Sequence, residues 1–173
     1  MEATAESTAA PVTTLLRPLS VPAIGTLWIE QGGLFAGVIR APEGDCALII
    51  CEDERGHLED RAWGEYGKEV ALCDHHADGR SNTKAMAEAG SQLAKDILAL
   101  DIAGFNDWYL PAQGELHVAH ANLKNHFEQA DWYWSSTQYS PDDAWVQNFG
   151  DGDSNVSGKY DELRAVAVRR LVL

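Results

Sequence analysis

The sequence predicts an α+β domain: two helices packed on a mainly antiparallel sheet. Three observations carry that expectation. Segments of alternating apolar and polar residues lie toward both ends of the chain, and an apolar stripe at helical spacing lies in the middle. The order is strands, then helices, then strands, without the repeated βα units that a parallel sheet needs. The 173-residue length suits one domain, and 45% apolar residues suffice for a core.

Residues 1–24, rich in Ala, Thr, Ser and Pro, read as an arm or linker suited to assembly contacts, and residues 25–173 as the single domain. "TLWIEQ" and "LFAGVIRA" flank a "GG" turn and predict a hairpin, and "CALIICE" a third, buried strand. Residues 52–83 are polar and glycine-containing, which predicts a long loop region with one short element at most. In "SNTKAMAEAGSQLAKDILAL", Met86, Ala89, Leu93, Ile97 and Leu100 form one stripe, with Ser81, Asn82 or Thr83 as cap and Gly104 as stop. A second helix starts near Ala112, with Leu116, Ala119, Leu123 and Phe127 facing inward and Pro111 at its entry. "DWYWSST" and "AWVQNF" alternate as strands joined by "SPDD", "DGDSNVSG" reads as a polar turn, and "LRAVAVRRLVL" as a closing strand.

The formal charge of −14, from 27 acids and 13 bases, argues against nucleic acid and anionic membrane surfaces as partners. No apolar run is long enough to span a bilayer. Glu2 and Glu6 stand where a signal peptide would carry bases, so folding in a cytoplasm is expected. Cys46 and Cys51 lie on opposite faces of one strand, too far apart to bridge. With Cys73 they read as core thiols, without zinc-ligand spacing.

"DGRSNTKAM", "GFNDWYLPAQGEL", "YWSSTQYS", "AWVQNFGDG" and "RAVAVRRL", over roughly residues 78–171, occur in the order and spacing of the Lcl C-terminal-like domain, which the chain therefore resembles. "GTLWIEQGGLFAGVIR" resembles the start of phage and prophage members of that family. The resemblance implies a C-type-lectin-like fold with paired N- and C-terminal strands. It also implies binding or virion architecture rather than catalysis. Ala112 and Gly114 depart from the family pattern, where a capping Ser or Thr and a polar helix former are common.

Several residues could carry a site. Asp151, Asp153, Asn155, Ser157, Lys159 and Glu162 match positions 1, 3, 5, 7, 9 and 12 of a calcium loop. Against calcium stand Val156 at the glycine position, the Lys159 charge and the absence of flanking helices, so a solvated acidic turn is the plainer reading and no cofactor is expected. His117 and His120 share a helix face and "CDHH" spans Cys73–His76, but surface histidines explain both. Trp108, Trp134 and Trp145 read as core. Trp63, Trp132 and Tyr139 lie nearer loops and are candidates for stacking on a sugar or protein. The chain lacks G-x-S-x-G, P-loop and H-E-x-x-H motifs, and its cysteines precede the matched region, so no enzyme is expected.

Residues 131–163 carry seven acids and one base, Lys159, which reads as a solvated face or as a docking surface for a cationic patch. The expected function is a non-catalytic binding module on a phage or prophage tail, recognising a host surface glycan or protein. Its contacts would come from loops near 57–80, 137–143 and 151–160. The ligand candidates are Trp63, Trp132, Tyr139, Asp142, Asp143, Asp151, Asp153 and Asn155. The alternative is a structural tail or head component. A bacterial adhesin comes third, without an export signal. Expected partners are other virion proteins and further copies of the chain, with the protein residing in the virion and no membrane insertion.

Overall fold

The fold, a computed structural model, is described for residues 20–173. The expected arm lies outside the described residues as far as residue 19. The strands are β1 (Leu27–Trp28), β2 (Gly33–Ala41), β3 (Gly44–Cys51), β4 (His57–Arg61), β5 (Trp132–Gln138), β6 (Asp143–Asn148), β7 (Ser154–Gly158), β8 (Leu163–Val166) and β9 (Val168–Val172). Between β4 and β5 lie α1 (Gly79–Glu88), α2 (Gln92–Leu98) and α3 (Gln113–Leu123). The architecture is α+β with two sheets, ordered β1-β2-β3-β9 and β4-β8-β5-β6-β7. All pairings are antiparallel except one parallel contact of β5 with β8, Tyr133 to Arg164.

The closing segment is two strands, not one. β8 enters the five-stranded sheet, β9 enters the four-stranded sheet, and only the fully buried Ala167 separates them. Ala167 accepts from the Cys51 amide and donates to the Gly56 carbonyl, so the seam between the sheets stays hydrogen-bonded. The first and last strands share a sheet but do not pair, contrary to expectation. β9 pairs with β3, and the β2–β3 hairpin separates it from β1. β1 is also shorter than "TLWIEQ" suggests, because Ile29–Gln31 turn into a 3-10 helix before Gly32.

Three helices stand where two were expected. The stripe at Met86, Leu93 and Ile97 is buried as expected, but the helix breaks at Ala89–Ser91. Gly90 takes φ 108°, and the Ser91 hydroxyl restarts the chain by capping Ala94. The cap of α1 is Asp78, one turn earlier than the expected polar run. Asn82 and Thr83 are instead buried ties. Asn82 Nδ2 donates to the His75 carbonyl at 2.7 Å, and Thr83 Oγ1 accepts from the Leu110 amide at 3.0 Å.

Two main cores result. One lies between the four-stranded sheet and α3 and joins Leu34, Leu48 and Ile50 to Leu116, Leu123, Phe127 and Phe149. The other lies between the five-stranded sheet and α1–α2 and joins Met86, Leu93 and Ile97 to Trp63, Trp108 and Trp134. Cys46 belongs to the first and Cys51 to the second, as their opposite faces require. Trp145 is a correction. β6 turns Ala144 and Val146 inward, leaving Trp145 half-buried against Tyr139. The polar segment "SNVSG" is the edge strand β7, not a turn. Its backbone pairs with β6, while few apolar side chains mark it in sequence.

Gly90 has no heavy atom within 4 Å of an added Cβ, so Gly90→Ala tests backbone strain alone. We expect it to cost about 1–2 kcal/mol, read as a lower urea midpoint with an unchanged m-value.

Candidate functional site

Residues of the motifs that carry the family resemblance build a buried ionic network. Arg169 and Arg170 extend to opposite sides of β9 and are about 5% and 6% exposed. The Arg169 guanidinium donates twice to Asp107, at 2.7 and 3.1 Å, donates to Gln31 Oε1, and lies 3.8 Å over the Phe105 ring. Arg170 donates twice to Glu43, at 2.7 and 2.9 Å, and once to Asp78 at 2.9 Å. Beyond Asp78 lies Glu115, fully buried, with Oε1 3.9 Å from Arg170. Glu115 accepts from the Tyr109 hydroxyl and the Ala112 amide, both at 2.7 Å. Burial pushes its carboxyl up to about 7 against the pull of these donors.

The two departures at the start of α3 find their explanation here. Ala112 offers no capping side chain, so Thr137 Oγ1 accepts from the Gln113 amide and the His76 carbonyl from the Gly114 amide. A Cβ at Gly114 would meet His76 at 2.9 Å, so the close approach that satisfies the helix needs glycine.

The expected ligand residues scatter. Trp63, expected near the surface, is 1% exposed, and its indole N–H donates to the Ser135 carbonyl at 2.8 Å. Lys159, expected in a solvated acidic loop, is fully buried. Its ammonium donates to the Lys68 carbonyl and Gln138 Oε1 and lies 4.8 Å from the Trp63 ring centroid. Burial lowers its pKa. The calcium-loop spacing does not survive folding. Ser154–Gly158 is extended in β7, which holds Asp151 and Asp153 at one end and Glu162 beyond the other, roughly 15 Å of strand apart. Asp151 and Asp153 instead close their own turn, and Asn155 bonds the next amide. Among the described residues no group of three His, Cys, Asp or Glu is placed to hold a metal ion. His117 faces His76 at 6.0 Å, while His120 packs edge-on to Phe149.

Trp132 and Glu162 meet in a cleft. Its volume is about 150 Å³, and Glu59, Asp60, Asp131, Trp132, Glu162, Leu163 and Arg164 line it. Arg164 bridges Asp131 and Glu59, which fixes one wall as a planar hydrogen-bonding surface. β4 bulges between Leu58 and Arg61, and Asp60 there takes a left-handed φ of 51°, uncommon outside glycine. Among the described residues, Asp60 and Glu162 carry no ion pair. Glu59 and Asp60 fall in the expected contact region near 57–80 but do not stand out there, because β4 lacks an apolar pattern, and Arg164 on β8 reads in sequence only as part of the closing strand. The aromatic Trp132 next to Asp131 was the one legible signal. Tyr139, Asp142 and Asp143 lie elsewhere, at the β5–β6 turn, with Tyr139 59% exposed and edge-on to Trp145.

The geometry defines a two-sheet α+β domain stitched by arginine–carboxylate pairs, and the arginines Arg164, Arg169 and Arg170, with Asp78 and Asp107, belong to the sequence motifs. The chain belongs to the Lcl C-terminal domain family, whose model matches residues 58–169. The match begins at Leu58 in β4, before the motifs that start near residue 78, and does not extend to the segment from Gly25 that resembles phage and prophage members. A solved fimbrial protein from Bacteroides ovatus ATCC 8483 is similar at 10% identity and a TM-score of 0.44, over 72% of this chain and 35% of that one. The chain thus spans about a third of that protein's length. Comparison with curated proteins gives no match.

Glu115 makes stability depend on pH with a definite sign. Its folded pKa of about 7 lies above the ordinary 4.5, so its contribution is fully present below about pH 4.5 and is lost as pH rises through 7. The loss is about 3 kcal/mol at most. We expect the wild-type Tm to fall between pH 5 and 8.5 more steeply than that of Glu115→Gln, by thermal melts across that range.

Proposed function

We propose that this chain is a non-catalytic, lectin-like binding module of a phage or prophage particle that recognises a host surface glycan. The cleft at Trp132 carries the reading. Trp132 lines the cleft and supplies an indole for the apolar side of a sugar ring, and the Arg164–Asp131–Glu59 array supplies fixed donors and acceptors for its hydroxyls. Asp60 and Glu162, which also line the cleft, add acceptors. The C-type-lectin-like fold of this proposal comes from the family resemblance; the α+β class is consistent with it, although the first and last strands do not pair.

A binding rather than catalytic role is supported by the state of the reactive groups. Burial pushes the Cys73 thiol up to about 12 and the Cys51 thiol up to about 11, opposite to what a nucleophilic cysteine needs. Glu115, the carboxyl raised toward neutrality, is sealed inside the fold and bonded to Tyr109 and Ala112. Placement on a tail, with other virion proteins and further copies of the chain as neighbours, rests on the resemblance to phage and prophage members.

A glycan array and host-cell binding with the purified chain test the proposal. Trp132→Ala should weaken binding of any captured glycan roughly tenfold, the effect of losing about 1.4 kcal/mol of aromatic contact. Equal binding by wild type and variant would move the site elsewhere. No glycan or cell binding, with stoichiometric incorporation into particles, would make the chain a structural component.

A further inference from the structure

A second surface shares no residue with the lining of the Trp132 cleft, and one buried amine organises it. Lys159 Nζ ties three segments together: Lys68 through its carbonyl, Gln138 through its side chain, and its own turn after β7. Each segment carries an exposed tyrosine within two residues of the tie. These are Tyr66, Tyr139 and Tyr160, at 53%, 59% and 64% exposure. Tyr66 and Tyr160 meet edge-on, with ring centroids 5.1 Å apart. Tyr139 meets Trp145 in the same way at 5.3 Å.

Both pairs border the turn that carries Asp142 and Asp143. Tyr139 donates its amide to the Asp143 carbonyl, and the Lys159 amide donates to that of Asp142. The Asp142 carboxylate lies 3.9 Å from where a Cβ on Gly67 would stand, next to Tyr66. Its charge is the largest influence on the Tyr66 phenol and raises the phenol's pKa. Among the described residues, Asp142 and Asp143 carry no ion pair. The base nearest in sequence, Lys159, spends its donors beneath the surface.

We infer that this face, Tyr66, Tyr139 and Tyr160 around Asp142 and Asp143, is a docking surface for a lysine- or arginine-rich segment of a partner protein. Exposed aromatic faces beside unpaired carboxylates attract cations through ring quadrupole and charge together. The Lys159 tie fixes the rings before binding, which lowers the ordering cost.

Titration of the full chain with a hexalysine peptide, followed by fluorescence anisotropy, tests this. A chain of charge −14 attracts any polycation, so the decisive comparisons hold the charge constant. The double variant Tyr66→Ala/Tyr160→Ala should lose roughly tenfold in affinity, and Tyr66→Phe/Tyr160→Phe should retain most of it. Asp142→Asn should weaken binding more than the equally neutralising Glu88→Gln on α1. Wild-type affinity in the double alanine variant, or equal effects of the two charge removals, would overturn the inference. So would loss of binding in Trp132→Ala or Asp60→Asn alone, which would assign the peptide to the cleft.

Discussion

The guanidinium of Arg170 holds the molecule together. It leaves β9 at the edge of one sheet and meets Glu43 from the β2–β3 turn, Asp78 at the cap of α1, and the neighbourhood of Glu115 on α3. A charge at 6% exposure is costly unless its hydrogen bonds are complete, so the pieces that supply its partners must all be in place together. Arg169 makes the matching demand on the other side of the strand, drawing in Asp107, Gln31 and Phe105. α3 approaches the four-stranded sheet through its apolar face, and Arg170 adds the tie to the cap of α1. Ala112 and Gly114 fit the same logic, since the entry of α3 is fixed by Thr137 and His76 rather than by its own cap.

What the sequence reveals depends on whether a residue's environment is local. The inner face of α3 is legible because Leu116, Ala119 and Leu123 repeat at helical spacing and are buried there. The stripe through Met86, Leu93 and Ile97 is legible too, yet it hides the break at Gly90, because both short helices present the same side to the same core. β4 and β7 are hidden for the opposite reason. Their side chains are largely polar, and pairing alone makes them strands, β4 with the distant β8 and β7 with the preceding β6. The burial of Arg169 and Arg170 has no local signature, since alternation alone places them on opposite faces and leaves their depth open.

The candidate surfaces follow the same division. Trp132, Tyr139, Asp142 and Asp143 stand out in sequence as aromatic rings beside carboxylates, and they remain at the surface. Trp63 and Lys159 look equally suitable in a list of residues, yet they fold against each other in the interior. Their removal from the surface is itself informative. The one base among seven acids points inward and supports the loops, and the exposed face keeps its negative charge. The cleft partners Glu59, Asp60 and Arg164 come from strands far apart in sequence and become neighbours only through β4–β8 pairing.

The split of the last segment between two sheets has a consequence for how the protein is made. β8 lies between β4 and β5, and β9 brings both buried arginines, so neither sheet is complete before residues 163–172 arrive. A nascent chain still held by the ribosome would expose unpaired β4 and leave Glu43 and Asp78 without the Arg170 guanidinium. Such non-local closure raises contact order and slows folding. Vectorial synthesis therefore leaves this domain open almost to its end, and a single late step shuts both halves at once.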